Sequence, residues 1–208
     1  MPLIKPARRR QPPETPASDT HSVGDLMLML ESDERDIRRS AIGALSRHPE
    51  AALALCQQLE VETDEAISEM IALSLTRMGG SMVVDGLLPM LRSDNATLRN
   101  TAIDILKELP TEVAPHMEAL LDDPDPDVRI LVINVLEALR HPKVEDWLIA
   151  VISVDGHVNV VATALDLLGE VGTVAAISAL ASVNRRFPDE PFIAFAVTNA
   201  LKQIQSAD

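Results

Sequence analysis

The chain has 208 residues, of which 47% are apolar and 2% aromatic, and 32 acidic against 18 basic residues give it a net charge of −14 at pH 7. A negative charge of this size disfavours binding to the phosphate backbone of a nucleic acid. The single cysteine, Cys56, excludes an intrachain disulfide and zinc-finger spacing, and no apolar stretch approaches the twenty residues that a membrane-spanning helix needs.

Residues 1–21 differ in composition from everything that follows. Five of the fourteen prolines fall between Met1 and Pro16, together with Lys5 and Arg8–Arg10, and apolar residues are few. We predict a disordered basic tail, solvated in preference to touching an acidic partner. Because no signal-peptide segment follows the arginines, we expect a cytoplasmic protein. From position 22 onward the chain carries 14 basic and 30 acidic residues, a net charge of −16.

Short amphipathic helices are predicted in pairs along residues 22–208, with helix-start residues before them and glycine or proline after them. Gly79-Gly80 is suited to the left-handed residue that follows a helix, and Pro110 to a helix stop. In chain order the pairs are Val23–Leu30 with a helix from Ser32 to about His48, Ala51–Leu59 with Asp64–Met78, Met82–Leu91 with Ala96–Leu109, Val113–Leu121 with Asp127–Leu139, Val144–Ile152 with Val158–Gly169, and Val174–Val183 with Phe192–Gln205.

The second helix of every pair has the same apolar register, most completely in Asp123–Arg129 and the Ile130–Leu136 stretch after it. An apolar anchor recurs every 30 to 33 residues, at Ile37, Ile67, Leu98, Val128, Val160 and Ile193. Leucine follows eight residues after each anchor, and an apolar residue follows four after it. A period of this length predicts stacked helical units that share one core.

This pattern resembles HEAT-like repeats of the phycobilisome-lyase type, and the resemblance covers residues 22–205. It is clearest in Ser32–Leu45, Ser93–Leu106 and Asp123–Leu136, where an acidic turn, the anchor and an arginine stand together. The resemblance implies an all-α fold, an α-solenoid of about six helix-turn-helix units, in which the second helices line a concave face. Similar repeats serve adaptors, bilin lyases, a DNA glycosylase family and a metal-dependent hydroxylase, so the fold does not decide the function.

Catalytic chemistry is not indicated by the residues. The hydroxylase relatives use His-Glu pairs for metal, and none of the five histidines is followed by Glu. The glycosylase relatives need a basic, aromatic face, whereas this chain is acidic with one tryptophan, Trp147. We interpret the Asp122–Asp127 cluster as helix-start aspartates and not as a calcium loop, because the glycine and distal glutamate of an EF-hand are missing. Cys56 is expected to be a small buried side chain, and Arg38, Arg99 and Arg129 to bond acids in neighbouring units. No cofactor or metal is predicted.

The face opposite the apolar stripe is reached two, six and nine residues after each anchor. Asp104, Asn134, Asp166 and Asn199 form a line of short polar side chains there, beside apolar Leu73, Ile130 and Phe195. We call the predicted binding residues the second-helix row: Arg39, Glu69, Leu73, Asn100, Asp104, Lys107, Ile130, Asn134, Glu137, Asp166, Phe195 and Asn199.

The leading hypothesis is a non-catalytic adaptor that holds another protein or peptide along the second-helix row. A bilin-lyase or chromophore-handling subunit is the alternative, which absorbance after co-expression with a bilin-synthesising pathway would distinguish. A regulator of a bacterial signalling complex is a weaker one. The phenylalanines of the last unit, Phe187, Phe192 and Phe195, are expected to cap the solenoid in preference to forming a binding patch.

Overall fold

The computed structural model describes residues 21–207, and every regular element in this range is helical. The predicted tail lies outside the described residues, apart from an exposed His21. The α-helices are α1 (Val23–Leu30), α2 (Arg35–Leu45), α3 (Ala52–Val61), α4 (Glu65–Met78), α5 (Ser81–Leu87), α6 (Ala96–Lys107), α7 (Pro110–Val113), α8 (Met117–Leu121), α9 (Pro126–Ala138), α10 (Val144–Val154), α11 (Val158–Val171), α12 (Ile177–Arg186) and α13 (Pro191–Ala207).

The helices form two layers, and each unit contributes one helix to each layer. The second helices α2, α4, α6, α9, α11 and α13 pack against one another in chain order. The first helices α3, α5, α8, α10 and α12 do the same on the other side, with α7 bridging α5 and α8. Almost all contacts are thus within a unit or between adjacent units, which is the organisation of an α-solenoid.

The core lies between the two layers, in the register that the sequence predicts. The residue four after the anchor is buried in every unit: Ala41, Ile71, Ala102, Val132, Ala164 and Val197. The leucine eight after the anchor is buried in five units, and only Leu201 in the last helix is partly exposed. Ile37 in the first unit is also partly exposed, because a terminal unit has a neighbour on one side only.

Polar side chains cap the starts of α4, α6 and α9, whereas Glu34 before α2 and His157 before α11 make no such side-chain hydrogen bond. Asp64 accepts a hydrogen bond from the Ile67 amide at 3.1 Å, and Asn95 accepts one from the Thr97 amide at 3.0 Å. Asp125 accepts from the Asp127 amide at 2.9 Å. The aspartate cluster therefore satisfies backbone donors at a helix start.

The largest departures from the predicted helix bounds occur in the first helices. Helix α5 continues as a 3-10 segment over Leu88–Arg92, and Ala114–His116 interrupts the predicted helix between α7 and α8. Pro89 and Pro115 lie in these segments and cannot donate the backbone hydrogen bond that an α-helix requires. Gly79 and Gly80 have φ of 59° and 86°, which confirms the predicted left-handed turn, whereas Pro110 begins α7.

Candidate functional site

Ion pairs join some of the adjacent units at the turns before and after their helices. The Arg38 guanidinium on α2 donates from Nε and Nη2 to the two carboxylate oxygens of Glu62, at 2.8 and 2.9 Å. Its Nη1 also donates to the backbone carbonyls of Ser32 and Asp33. One side chain therefore ties the turn of the first unit to the end of α3 in the second, and its planar fork suits that geometry.

The same joint, an arginine that bonds an acid of the next unit, recurs between the fourth and fifth units. Arg129 on α9 donates to both carboxylate oxygens of Asp155, at 2.7 and 3.0 Å, and to the Asp123 carbonyl at 2.7 Å. The Arg129 side chain is 14% exposed and that of Asp155 is 7% exposed, so the pair is shielded from water. The expectation that these arginines bond acids in neighbouring units is thus confirmed for Arg38 and Arg129.

Arg99 does not follow that expectation. Its Nη1 donates to the Ser93 carbonyl at 2.5 Å, and the acid that corresponds to Glu62 and Asp155, Asp123, pairs instead with Arg92. Asp123 is 4% exposed. Arg92 ends the 3-10 segment Leu88–Arg92 that follows α5, and its guanidinium reaches Asp123 in the next unit.

A sequence signal for these joints exists that the anchor register alone does not use. The arginine stands one residue after an anchor, and its acid stands five residues before the next anchor. Where the first position is Ser68 or Val161, the second is Ser93 or Pro188, so arginine and acid are absent together. The last joint is closed differently, because Arg186 donates to the Ile152 and Asp155 carbonyls at 2.5 Å each.

The described second helices leave most of the second-helix row open to solvent. Its exposed members are Arg39, Glu69, Leu73, Asn100, Asp104, Glu137, Asp166, Phe195 and Asn199. The half-buried members are Lys107, Ile130 and Asn134. Leu73 is 50% and Phe195 62% exposed. Whether these residues bind a partner stays a prediction.

Ile130 differs from the expectation that it would stand out as an exposed apolar residue. It packs against the core and forms one wall of a depression shared with Arg92 and Arg99. The side chain is therefore partly used for folding.

A shallow groove of about 170 Å³ separates α9 from α11 within the row. Asn134 and the carboxylates of Glu137, Asp166 and Glu170 line it. Lys107 lies 3.8 Å from Glu137 and partly offsets the charge at one end. The arrangement suits a basic or amide-bearing side chain of a partner.

The terminal phenylalanines do not all cap the solenoid. Phe187 is partly buried against the core, but Phe192 and Phe195 are each 62% exposed, so the capping expectation is wrong for these two. Helix α13 covers α11 with smaller side chains, among them Ile193, Ala196 and Val197. The two exposed rings are left for solvent or for a partner.

A second depression, which the sequence reasoning missed, lies between α8 and α10 at their carboxyl ends. We call it the α8–α10 groove; it has a volume of about 370 Å³. Its lining residues are Glu118, Leu121, Asp122, Asp123, Arg129, Trp147, Ala150, Val151, Val154, Asp155 and Gly156. Val154 is 79% exposed six residues before an anchor, but Val61 and Phe187 are apolar at the same position in their units, so the sequence contains no signal specific to this groove.

Trp147 forms the aromatic wall of the α8–α10 groove. It is 6% exposed and stacks on His141 with ring centroids 5.0 Å apart and an interplanar angle of 11°. Its indole N–H has no hydrogen-bond partner among the described residues. The His141 imidazole therefore covers one face of the Trp147 ring.

The described residues offer no metal cluster and no activated cysteine. No group of three or more His, Cys, Asp or Glu side chains in residues 21–207 is placed to hold a metal ion. Cys56 is 2% exposed, and burial raises the pKa of its thiol to about 12, which confirms the expected buried side chain. No helix in the described range is long and apolar enough to cross a membrane.

Comparison with known proteins places these features in a family. The chain is similar to the complex of CpcE and CpcF of phycocyanin lyase from Nostoc sp. PCC7120, with 18% identity, a TM-score of 0.37, and coverage of 95% of this chain and 99% of that chain. It is similar to two engineered proteins, with 18% and 15% identity, TM-scores of 0.40 and 0.42, coverage of 88% and 89% of this chain, and coverage of 96% and 99% of theirs. No curated protein matches the chain. The family model described as HEAT repeats matches residues 23–111 and 113–202. The chain therefore belongs to the HEAT-repeat family.

Proposed function

We propose that this protein is a non-catalytic scaffold that holds a partner protein or peptide along the second-helix row. The observation that carries the proposal is the exposure of Leu73 and Phe195 among short polar and acidic side chains on one continuous helical layer. Apolar and aromatic side chains surrounded by polar ones commonly anchor a binding surface.

The polar members of the row complement these anchors. Asp104, Asn134, Asp166 and Asn199 project from successive second helices, so they recur once per stacked unit. Carboxylate and amide groups at that spacing can accept hydrogen bonds from an extended or helical segment. The surplus of carboxylates favours a basic partner and opposes a nucleic acid.

The experiment is affinity purification with mass spectrometry, comparing wild type with Leu73→Asp and Phe195→Asp. Both side chains are at least half exposed, so the charge is tolerated by the fold, which circular dichroism checks. Leu53→Asp is the matched control, because Leu53 is 48% exposed but lies on α3 in the other layer. We expect a partner that is lost with both row variants and kept with the control.

Ile130→Asp combined with Asn134→Arg tests the centre of the same row. If this double variant and the two single row variants retain every partner of the wild type while their helicity is unchanged, the row is not the binding surface.

A further inference from the structure

The α8–α10 groove lies apart from the second-helix row, at the carboxyl ends of two first helices. Its wall is apolar where Trp147, Val151 and Val154 line it. Its rim is acidic: the lining residues include four carboxylates and one guanidinium, that of Arg129.

The buried charged groups of the groove are already paired with groups of this chain. Asp155 pairs with Arg129, and Asp123 pairs with Arg92. The carboxylates that remain for a ligand are those of Asp122 and Glu118. Glu118 lies 3.3 Å from Lys143, but both side chains are more than half exposed, and such a pair is readily exchanged. The groove therefore fits an aliphatic side chain followed by positive charge.

The chain itself contains such a segment. Leu3 and Ile4 are followed by Lys5 and by Arg8–Arg10, and no acidic residue occurs before Glu14. Proline fixes its own φ and disfavours helical backbone at the residue before it, so Pro2 and Pro6 lower the entropy that this sequence loses on docking. We propose that residues 3–10 dock in the α8–α10 groove of the same molecule, with Leu3 and Ile4 against Trp147 and Val154 and the basic side chains against Asp122 and Glu118.

The length of the segment allows this contact. Three helix-to-helix steps of about 8–10 Å each separate α1 from α8, and the length of α10 adds about 16 Å. The sixteen residues from Lys5 to His21 span up to about 53 Å when extended. The segment has too few apolar residues to fold alone, so the groove would supply the missing apolar contact.

Zero-length carbodiimide cross-linking of the full chain tests the contact. The reagent joins the Lys5 amine to a carboxylate in an amide bond with loss of water. We expect Lys5 to be linked to Asp122 or Glu118 within one molecule, which a mixture of ¹⁴N- and ¹⁵N-labelled protein establishes. The Lys107–Glu137 pair, 3.8 Å apart, is the internal reference for yield.

Val154→Asn removes the exposed apolar wall without adding charge, and it should lower the yield of the Lys5 link at least fivefold. Val61→Asn is the matched control, because Val61 is 70% exposed at the equivalent position of the second unit, outside the groove. It should leave the yield within twofold of wild type.

The double change Leu3→Asn and Ile4→Asn should abolish the link and shift the emission of Trp147, the single tryptophan. Thr15→Asn with Ser18→Asn controls for tail composition and should do neither. The proposal is overturned if Lys5 is linked only to other copies of the chain, or if it is linked chiefly to Glu137 or Asp166. It is also overturned if Val154→Asn and Val61→Asn give the same yield of the Lys5 link. None of these outcomes depends on a partner at the second-helix row.

Discussion

At the scale of single residues, the central leucines of the second helices carry much of the stability. Leu106 is fully buried between the two layers. We expect Leu106→Ala to lower the free energy of unfolding by about 2–5 kcal/mol, because it removes apolar contacts and leaves a cavity. Leu73→Ala, at a half-exposed site, should change it by about 0.5 kcal/mol or less. Urea denaturation followed by circular dichroism measures both, and equal effects would show that the assigned register is wrong.

The stability contributed by the Arg38–Glu62 pair depends on pH, because the Glu62 carboxylate titrates. Burial alone would raise the pKa of Glu62, but hydrogen bonds from Arg38, the Asp64 amide and Gln58 outweigh it and lower the pKa to about 2. A carboxyl group whose pKa is lower when folded stabilises the fold fully above its unfolded pKa of about 4.5. That contribution is lost as pH falls from about 4.5 through about 2.

We therefore expect Glu62→Gln to reduce stability at pH 7 and to flatten its dependence on pH between about 4.5 and 2. Glu60→Gln, on the exposed side of α3, is the control and should change neither. Denaturation midpoints measured at several pH values give the comparison. An unchanged slope in Glu62→Gln would mean that the Arg38–Glu62 joint does not contribute.

At the scale of helices, two glycines within helices predict opposite outcomes. A Cβ on Gly86 of α5 would lie 2.6 Å from Sγ and 3.0 Å from Cβ of Cys56, so α3 and α5 approach too closely for any larger residue. A Cβ on Gly43 of α2 would meet nothing within 4 Å. The first glycine is thus required by packing and the second is not.

Gly86→Ala should destabilise the fold, because overpacking costs about 1–3 kcal/mol and exceeds the gain in helix propensity. Gly43→Ala should stabilise it by about 0.5–1 kcal/mol, since propensity is the main term there. Thermal denaturation of the two variants measures the difference. If Gly86→Ala is as stable as Gly43→Ala, the close contact between α3 and α5 does not exist.

Helices, caps and the core register follow from the sequence because each depends on residues a few positions apart. The apolar period, the Asp64 and Asn95 caps and the Gly79-Gly80 turn are all local features. The pairing of Asp123 with Arg92 and the α8–α10 groove depend on how units meet in space. Side-chain reach across a joint decides them, and spacing along one chain does not contain that information.

The candidate binding surface is also predictable from the sequence only in part. The phase of each helix predicts which of its faces points away from the core, and the exposed members of the second-helix row agree with it. Ile130 departs because the depression beside Arg92 and Arg99 draws it toward the core. Phe192 and Phe195 depart from the capping expectation, because smaller residues of α13 already cover α11.

At the scale of the whole molecule, the solenoid spreads a large negative charge over an elongated surface. The chain has a net charge of −14, and within residues 21–207 the helices of units far apart in sequence do not pack against one another. Its shielded pairs, Arg38–Glu62 and Arg129–Asp155, are short contacts with little exposed surface. Salt screens the long-range repulsion strongly and the shielded pairs weakly.

Stability should therefore rise with ionic strength, even though ion pairs hold the joints. The measurement is the urea midpoint at 20 and 300 mM NaCl, with an unchanged denaturant slope showing that the same transition is followed. Lys143→Gln and Lys107→Gln, which each increase the negative charge on the surface, should enlarge the increase. A midpoint that falls with salt would mean that attractive pairs outweigh repulsion across the stack.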